Sequence, residues 1–298
     1  MGIRDIPVVA TGPGSQPVES DGAQLDYIAL PKGMSMYEAP VIPEPDTVRH
    51  LEGARAAMRW LRGALAEYRP DGAPQLADLS ALDTDSRDLV NQILGEGEVS
   101  IKVAGEPRAA IQESVLAGVW RIFFYDADDR LVGDLLEVAT VPRLVRWARP
   151  SEKKVSELAP ADPPEGVMNG QAILTELDEH CATHRPEDPP HAINVTLLPR
   201  SPADITYLDE TLGRGSVEIL SRGYGDCQVI STRVPNLWWV RYFNSMGTQI
   251  LNSLEVTDIP AVACAATEDL RASGGRLSSI LEPYWPDDVP DPGHGLVP

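Results

Sequence analysis

The stretch that decides the fold runs from Leu212 to Pro260 and reads LGRGSVEILSRGYGDCQVISTRVPNLWWVRYFNSMGTQILNSLEVTDIP. It is rich in β-branched, aromatic and glycine residues, which favour strands joined by tight turns. The same pattern occurs upstream, and each matching residue lies 118 positions before its counterpart. The upstream residues are Leu94, Gly95, Gly97, Val99, Ile101, Gly105, Trp120, Leu136, Glu137, Val138 and Pro142. A constant offset over about fifty residues predicts a tandem duplication of one structural unit.

Each copy of the pattern predicts helices around a four-stranded antiparallel meander. The expected strands lie near residues 97–104, 108–115, 117–125 and 131–138, and again near 215–221, 226–233, 236–243 and 249–256. The strands follow one another too closely for crossover helices, so a parallel sheet is excluded. We therefore expect an α+β fold in which a helix–meander–helix unit is repeated with pseudo-two-fold symmetry.

Composition divides the chain into five predicted segments. They are a disordered tail and extended strap at 1–45, a first repeat at 46–148, a proline-rich and charged linker at 149–168, a second repeat at 169–282, and a proline-rich acidic tail at 283–298. Proline and charge at the segment boundaries oppose the burial of apolar surface.

Charge and cysteine content limit the classes of partner. The 298 residues carry 45 acidic and 25 basic side chains, for a net charge of −20. This charge repels nucleic acid and anionic membranes, whereas a basic protein segment is attracted. Three unpatterned cysteines suit a reducing compartment, and there is no apolar run long enough for membrane insertion. We expect a cytoplasmic protein.

Cys227 is one candidate for chemistry, because it follows a glycine-rich turn in which Arg222 would favour a thiolate. The alternative is a half-buried strand residue, since cysteine behaves as a small hydrophobe. Glu137 and Glu255 occupy equivalent positions and suggest either an acid/base pair or two structural carboxylates at strand ends. Both alternatives stay open at this point for each site.

His180, Cys181 and His184 are ligand-type side chains near the end of a predicted helix. The two histidines, at positions i and i+4, lie on one helix face, where they suit zinc or nickel. The competing interpretation is that histidines near a helix C-terminus simply interact favourably with the helix dipole. No bound cofactor is otherwise expected.

Trp238 and Trp239 are adjacent in a predicted strand, so their indoles point to opposite faces of the sheet. Trp238 matches Trp120 and is expected in the core. Trp239, with Arg233 and Arg241 of the same parity, then predicts an exposed aromatic and arginine surface that binds a partner protein. The alternative is that another part of the chain covers Trp239.

Two further segments are assigned to the same hypothetical interface. Arg222 and Tyr224 lie in the glycine-rich turn, and Met36 and Tyr37 lie in an extended, proline-spaced segment from Tyr27 to Ile42. Such apolar segments either strap onto their own domain or dock on a partner.

The motifs GRG, ILSRGYGDC, STRVPNLWWV, YFNSM and LEVTDIPAVA, all between Gly213 and Ala263, resemble the C-terminal region of the HupH/HyaF family. These are hydrogenase expression/formation proteins. The resemblance is strongest over residues 193–269 and continues more loosely through LGEGEVSI and GVWR, and into the segment MSMY at residues 34–37.

The resemblance implies a non-enzymatic accessory protein for the maturation of [NiFe] uptake hydrogenases. Members of the family act in the cytoplasm with the iron–sulfur small subunit before its export, often beside a second small chaperone. The partner expected from this resemblance is the immature small subunit, including its twin-arginine signal peptide. The alternative function is a metal or iron–sulfur handling factor that uses Cys227 or the residues His180, Cys181 and His184.

Overall fold

The computed structural model describes residues 43–70, 72–73, 75–148, 153–222 and 226–288. Its helices are α1 (Pro45–Val48), α2 (Glu52–Glu67), α3 (Thr84–Leu94), α4 (Arg143–Trp147), α5 (Val155–Leu158), α6 (Gly170–Thr183), α7 (Pro202–Leu212) and α8 (Thr267–Leu281). Short 3₁₀ turns occur at Ala261–Ala263 and Pro286–Asp288.

Within the residues that the structure describes, ten strands form one antiparallel sheet, so the fold is α+β as the strand spacing predicted. They are β1 (Gln75–Asp78), β2 (Val99–Val103), β3 (Arg108–Glu113), β4 (Val119–Tyr125), β5 (Leu131–Val138), β6 (His191–Asn194), β7 (Val217–Ser221), β8 (Asp226–Ser231), β9 (Leu237–Phe243) and β10 (Gln249–Val256). Their order across the sheet is β1-β5-β4-β3-β2-β7-β8-β9-β10-β6. The two meanders meet where β2 pairs with β7, and Ile101 lies opposite Ile219.

Side-chain chemistry explains the hairpins at the outer ends of the meanders. In the β4–β5 turn, the Asp126 carboxylate accepts the N–H groups of Asp128 and Arg130, each at 2.9 Å. In the β9–β10 turn, the Asn244 side chain accepts from Met246 and Thr248 at 2.9 and 3.0 Å. In both hairpins, at the same point, a short Asp or Asn side chain therefore accepts backbone N–H groups of the turn in place of a carbonyl of the facing strand.

Close backbone approach explains why glycine recurs before β2 and β7. A Cβ atom on Gly97 would lie 2.3 Å from the Ser114 carbonyl oxygen, and one on Gly215 would lie 2.4 Å from the Thr232 carbonyl oxygen. The N–H groups of both glycines donate at 2.7 Å, to Glu113 and Ser231 respectively. No larger residue fits at either junction without moving the backbone.

One face of the sheet carries two separate helical layers, each covering one half. Helices α2, α3 and α8 enclose a core around Met58, Leu89 and Leu136. Helices α5, α6 and α7 enclose a second core around Leu177, Leu208 and Trp239. Helix α7 begins with a capping box, in which Ser201 and Asp204 bond each other's backbone N–H groups.

The opposite face of the middle strands is apolar and continuous. It buries Ile101, Ile111, Ile219 and Val229 beneath α4 and the 3₁₀ turn at Ala261–Ala263. The two tryptophans on this face, Trp120 and Trp238, donate to the carbonyls of Ala139 and Thr257 at 2.8 and 3.1 Å. The middle of the sheet is therefore held together mainly from this side.

The two halves exchange their last helices. Helix α5, which follows the first meander, packs on α6 and α7 of the second half. Helix α8, which follows the second meander, packs on α2 of the first half, where the Ser273 hydroxyl donates to the Ala117 carbonyl at 3.0 Å. Neither half is complete without a helix from the other.

This exchange changes the interpretation of two predicted segments. The predicted linker contains α5, in which Val155 is buried in the second core, so its described part is a packed element. In the predicted acidic tail, Tyr284 and Trp285 are buried in the first core, and Asp288 pairs with Arg55 at 2.7 Å. Across the described ranges, every helix is too short or too polar to span a bilayer.

Candidate functional site

The helical side of the four middle strands presents a polar surface. Gln112, Ser100, Leu220 and Gln228 lie directly opposite one another across β3, β2, β7 and β8, so their side chains share one face. Three of the four are polar, whereas the reverse face of the same strands is apolar. Gln112, Leu220 and Gln228 are only 9%, 6% and 6% exposed, so this row is recessed between its neighbours and is not open surface.

Helices α3 and α7 stand on either side of this polar surface. On one side, Arg121 of β4 donates to the Asn91 side chain of α3 at 2.7 Å. On the other side, Arg241 of β9 donates to the Asp209 carboxylate of α7 at 3.1 Å. The polar strands therefore form the floor of a groove, and the two helices form its walls. We call this feature the central groove.

A charged row crosses the floor near one end. Lys102 of β2 lies directly opposite Glu218 of β7, and Gln228 donates to the Glu218 carboxylate at 2.8 Å. Partial burial lowers the pKa of the Lys102 ammonium, while the charge of Glu218 opposes this shift. Both signs of charge are thus present on the floor.

One end of the central groove opens into an acidic cavity of about 470 Å³. Glu96, Glu98 and Glu113 line it together with Arg222. Burial raises the pKa of Glu96, and the neighbouring charge of Arg222 partly offsets that effect. With three carboxyl groups and one guanidinium, the cavity favours a cationic ligand.

Glu113 is the most perturbed carboxyl group of this cavity. Its side chain is 8% exposed and accepts the Gly118 N–H at 3.1 Å. Burial raises the pKa of Glu113 to about 7, and the charges of Glu98 and Asp269 add to the shift. Near neutral pH the group is therefore half protonated, and an incoming cation would favour its ionised form.

The opposite end of the central groove opens into a basic cavity of about 280 Å³. Lys102, Arg108 and Arg214 line it, with Glu218 between them. The two cavities occupy matching places in the 118-residue offset, and Arg214 stands where the acidic cavity has Glu96. The groove follows β2, whose five residues span about 17 Å, so an extended peptide of similar length would meet one charge at each end.

The structure does not bring Trp239 to the surface. The prediction of an exposed aromatic surface is wrong, because the residue is 1% exposed and lies in the second helical core. The guanidinium of Arg241 stacks over its ring at 4.9 Å and pairs with Asp209. Parity placed the two indoles on opposite faces, and both faces of β9 are covered.

Arg233 has a structural role at the end of α7. Its guanidinium donates to the carbonyls of Thr211, Glu210 and Leu212 at 2.9, 3.1 and 3.4 Å. These carbonyls belong to the last turn of the helix, where they lack intrahelical partners. Arg233 is thus committed to capping the helix.

Of the other predicted contact residues, Arg222 is exposed and lines the acidic cavity. Tyr224, Met36 and Tyr37 lie outside the described residues, as does most of the predicted strap. Arg222 is therefore the predicted contact residue that the structure places at the central groove.

The predicted cysteine and histidine sites are separated or buried. Cys227 is 1% exposed, and burial raises the pKa of its thiol to about 12. Burial likewise raises the pKa of the Cys181 thiol to about 12. His180 lies close to Glu176 and His191 rather than forming a site with Cys181 and His184. The sequence pattern did not predict this set of Glu176, His180 and His191.

The two equivalent glutamates cannot form an acid/base pair, because β5 and β10 are seven strand spacings apart, which is about 33 Å. Glu137 accepts the Arg143 N–H at 3.0 Å, and Glu255 accepts from the Ser253 hydroxyl at 3.3 Å. Burial raises the pKa of both carboxyl groups. They are structural carboxylates.

Sequence reasoning also missed the acidic cavity, although a signal was present. The 118-residue offset aligns Glu96 with Arg214 and Glu98 with Ser216. Identical residues reveal the repeat, whereas these two positions are those at which the copies differ. The chemistry of the central groove lies in the positions where the two copies differ.

Comparison with known proteins identifies a family. The family model described as "HupH hydrogenase expression protein, C-terminal conserved region" matches residues 51–156 and residues 167–284. Hydrogenase expression/formation protein HoxQ of Cupriavidus necator is 47% identical over 277 residues, which cover 93% of this chain and 96% of that protein. Hydrogenase-1 operon protein HyaF of Escherichia coli is 32% identical over 275 residues, which cover 91% and 94%.

Among solved structures, hydrogenase expression protein HupH from Thiobacillus denitrificans matches with a TM-score of 0.35 and 26% identity, covering 37% of this chain and 91% of that chain. The family model and the long relatives together cover most of the sequence. The chain therefore belongs to the HupH family of hydrogenase expression proteins.

Proposed function

We propose that this protein is a cytoplasmic, non-enzymatic chaperone for the maturation of a [NiFe] uptake hydrogenase. In this proposal it holds the immature iron–sulfur small subunit before export. Family membership supports a role in hydrogenase maturation, because relatives that match over nearly the whole chain are named as hydrogenase expression/formation proteins. A second small maturation chaperone is a further proposed partner.

The observation that carries the proposal is the central groove with its charged ends. A twin-arginine export signal is a basic segment, and the acidic cavity offers Glu96, Glu98 and Glu113 to it. The net charge of −20 would attract such a segment at long range and speed its association. We therefore assign the acidic cavity to the basic part of the signal peptide and the rest of the groove to the chain that follows.

The thiols of the protein support a binding role over nucleophilic or iron–sulfur chemistry. Within the residues that the structure describes, Cys181, Cys227 and Cys264 form no disulfide, and burial raises the pKa of all three thiols. A thiolate is the reactive and metal-binding form of cysteine. This environment disfavours the alternative function in which Cys227 handles a metal or cluster.

We also propose that the groove arose by tandem duplication of one unit, whose copies are related by a pseudo-two-fold axis between β2 and β7. The bounds of β2 to β5 and of β7 to β10 differ by 118 residues throughout, and so do those of α3 and α7. The family model matches both halves of the chain. After duplication, divergence at Glu96 and Arg214 would have given the groove its charge asymmetry.

The test is co-purification of the tagged protein with the hydrogenase small subunit, expressed with its export signal under low oxygen. We expect the wild type to recover the small subunit with its signal uncleaved. The double variant Glu96→Arg/Glu98→Arg should recover at least about tenfold less, because the acidic cavity then repels the signal.

The matched control is Glu187→Arg, an exposed residue outside the groove, together with a second such reversal at the exposed Glu157. This control carries the same charge change and should retain capture. Equal recovery by the groove variant and the control would overturn the assigned surface. Failure of the wild type to recover the small subunit would overturn the proposed function.

A further inference from the structure

Three ligand-type side chains converge at the outer edge of the second half. Glu176 and His180 are one turn apart on α6, and His191 is the first residue of the edge strand β6. The His191 Nε2 atom lies 2.9 Å from the Glu176 Oε1 atom. The rings of His180 and His191 stack with centroids 3.4 Å apart and planes within 9° of parallel.

The chemistry of this cluster matches that of a transition-metal site. One ligand atom from each residue lies within 4.8 Å of the other two. Two imidazoles and one carboxylate form a ligand set that binds zinc and similar divalent ions in other proteins, at metal–ligand distances of about 2.0–2.2 Å. Three protein ligands leave a fourth position open for water or for a ligand from another molecule.

The supporting backbone is rigid, while the three side chains can adjust. Ile173, Leu174 and Leu177 anchor α6 in the second core, and β6 is paired with β10 over four residues. The side chains of Glu176 and His191 are 50% and 32% exposed. Binding one ion requires the ligand atoms to approach one another from within 4.8 Å and the stacked rings to rotate apart, because an imidazole nitrogen binds a metal in the plane of its ring.

His180 has capacity for a ligand bond in this arrangement. In the part of the chain that the structure describes, neither of its ring nitrogens makes a hydrogen bond to the protein. His191 is oriented by the Glu176 carboxylate, a contact of the kind that fixes the tautomer of metal-binding histidines. Both histidines are half-buried, and each offers a ring nitrogen within 4.8 Å of the other ligand atoms.

We propose that Glu176, His180 and His191 bind one divalent transition-metal ion of the zinc class. The site lies at the sheet edge beside β6, whereas the central groove lies at β2 and β7, so this proposal goes beyond the proposed function. It also replaces the ligand set predicted from sequence, since neither the half-buried Cys181 nor His184 is part of the cluster.

The first experiment is isothermal titration of the full-length, untagged, chelator-treated protein with Zn²⁺. We expect one ion per chain for the wild type. The variants His180→Gln and His191→Gln should each weaken binding at least about tenfold, because changing even an outer-shell partner of a ligand costs about 10–100-fold in metal affinity. Circular dichroism melts of each variant check that folding is retained.

The matched controls are Cys181→Ser on α6 and His184→Gln directly after its last residue, which alter the two neighbouring ligand-type residues and should retain full affinity. The visible spectrum of the Co²⁺-loaded protein should show the intense bands of a four-coordinate site in the wild type and lose them in His180→Gln. No stoichiometric Zn²⁺ on the wild type, or loss of binding in the controls alone, would overturn the proposal.

The outcome is separable from that of the chaperone test. His180→Gln should capture the hydrogenase small subunit as the wild type does, and Glu96→Arg/Glu98→Arg should bind Zn²⁺ as the wild type does. Failure of Zn²⁺ binding with intact capture would therefore remove only the metal site.

Discussion

The two ends of the central groove have matching backbones and opposite charges. The same glycine-flanked junction carries Glu96 at the entrance to β2 and Arg214 at the entrance to β7. Both ends are shaped by the same close approach of Gly97 and Gly215 to a neighbouring strand. The backbone shape of the groove is thus repeated in the two halves, while its charged side chains are not. The positions at which the halves differ therefore determine which ligand the groove would select.

The largest contrast between the halves is a buried ion pair. Asp134 is 1% exposed and accepts two hydrogen bonds from Arg121, at 2.7 and 2.8 Å, while the second half has Asn252 at the matching position. We expect Asp134→Asn to lower the free energy of unfolding by about 3–5 kcal/mol, because Arg121 then remains buried without its carboxylate. Urea denaturation measures this loss.

The control for that variant is Asp128→Asn, an exposed residue in the β4–β5 hairpin, which should unfold at nearly the wild-type urea concentration. If Asp134→Asn and Asp128→Asn unfold at the same urea concentration, the buried ion pair does not contribute the expected extra stability to the first half.

A second contrast is the junction between α6 and α7. The Asp204 carboxylate accepts the N–H groups of Met168, Asn169, Gly170 and Ser201 at 2.7–2.9 Å, whereas Ser86 holds the matching position in the first half. We expect Asp204→Ala to lower the free energy of unfolding by about 3 kcal/mol, since hydrogen bonds to a charged group are lost. Ser86→Ala should cost much less, because the Ser86 hydroxyl is uncharged and, among the described residues, holds no comparable set of backbone N–H groups.

The Asp204 junction also predicts an acid sensitivity. The four hydrogen bonds outweigh burial and lower the pKa of Asp204 to about 2. The folded value lies below the unfolded one, so the stabilisation is complete above about pH 4 and is lost as the pH falls through about 2. Asp204→Ala should lack this part of the pH dependence in acid unfolding followed by circular dichroism.

A third contrast is Glu113 in the acidic cavity against Ser231 at the matching position. The folded pKa of about 7 lies above the unfolded value of 4.5, so this group lowers stability as the pH rises between those values. We expect Glu113→Gln to stabilise the protein by about 3 kcal/mol at pH 8 and by close to zero at pH 4. Thermal melts at the two pH values measure this difference, and an equal gain at both would show that ionisation is not the cause.

The smallest expected effect concerns the charge asymmetry itself. The exchange Glu96→Arg with Arg214→Glu keeps the net charge of the protein and removes the charge difference between the two ends of the groove. We expect about tenfold weaker capture of the small subunit at low salt and a smaller difference at high salt, because screening weakens exposed charges. Unchanged capture at low salt would show that polarity does not direct binding.

Most of the sheet could be predicted from sequence. Strands β4 and β5 were predicted from the alternation of Trp120, Ile122 and Phe124 and from the turn residues Asp126 to Asp129. The 118-residue offset then predicted β9 and β10. Strand β1 was missed because its residues, Gln-Leu-Ala-Asp, lack β-branched or aromatic side chains and depend on pairing with β5. Helix α5 was missed because it is four residues long within a proline-rich stretch.

The site was harder to predict, because its features depend on contacts between distant residues. Parity showed that Trp238 and Trp239 point to opposite faces, but only the placement of α6 and α7 shows that the second face is also covered. His191 reaches His180 through the pairing of β6 with β10, which a helix-based pattern of i and i+4 residues does not include. Arg222 was chosen for its glycine-rich turn, and the structure supplies the acidic residues around it.

The exchange of α8 between the halves has a consequence for biosynthesis. A ribosome completes β5 at Val138 long before it reaches Leu281, and at about 5–20 residues per second the interval is roughly 7–30 s. Throughout that time the nascent first half lacks the helix that covers Leu116 and Val119. The nascent chain therefore exposes an aggregation-prone apolar surface during translation. The yield of native protein should depend on how soon α8 is synthesised.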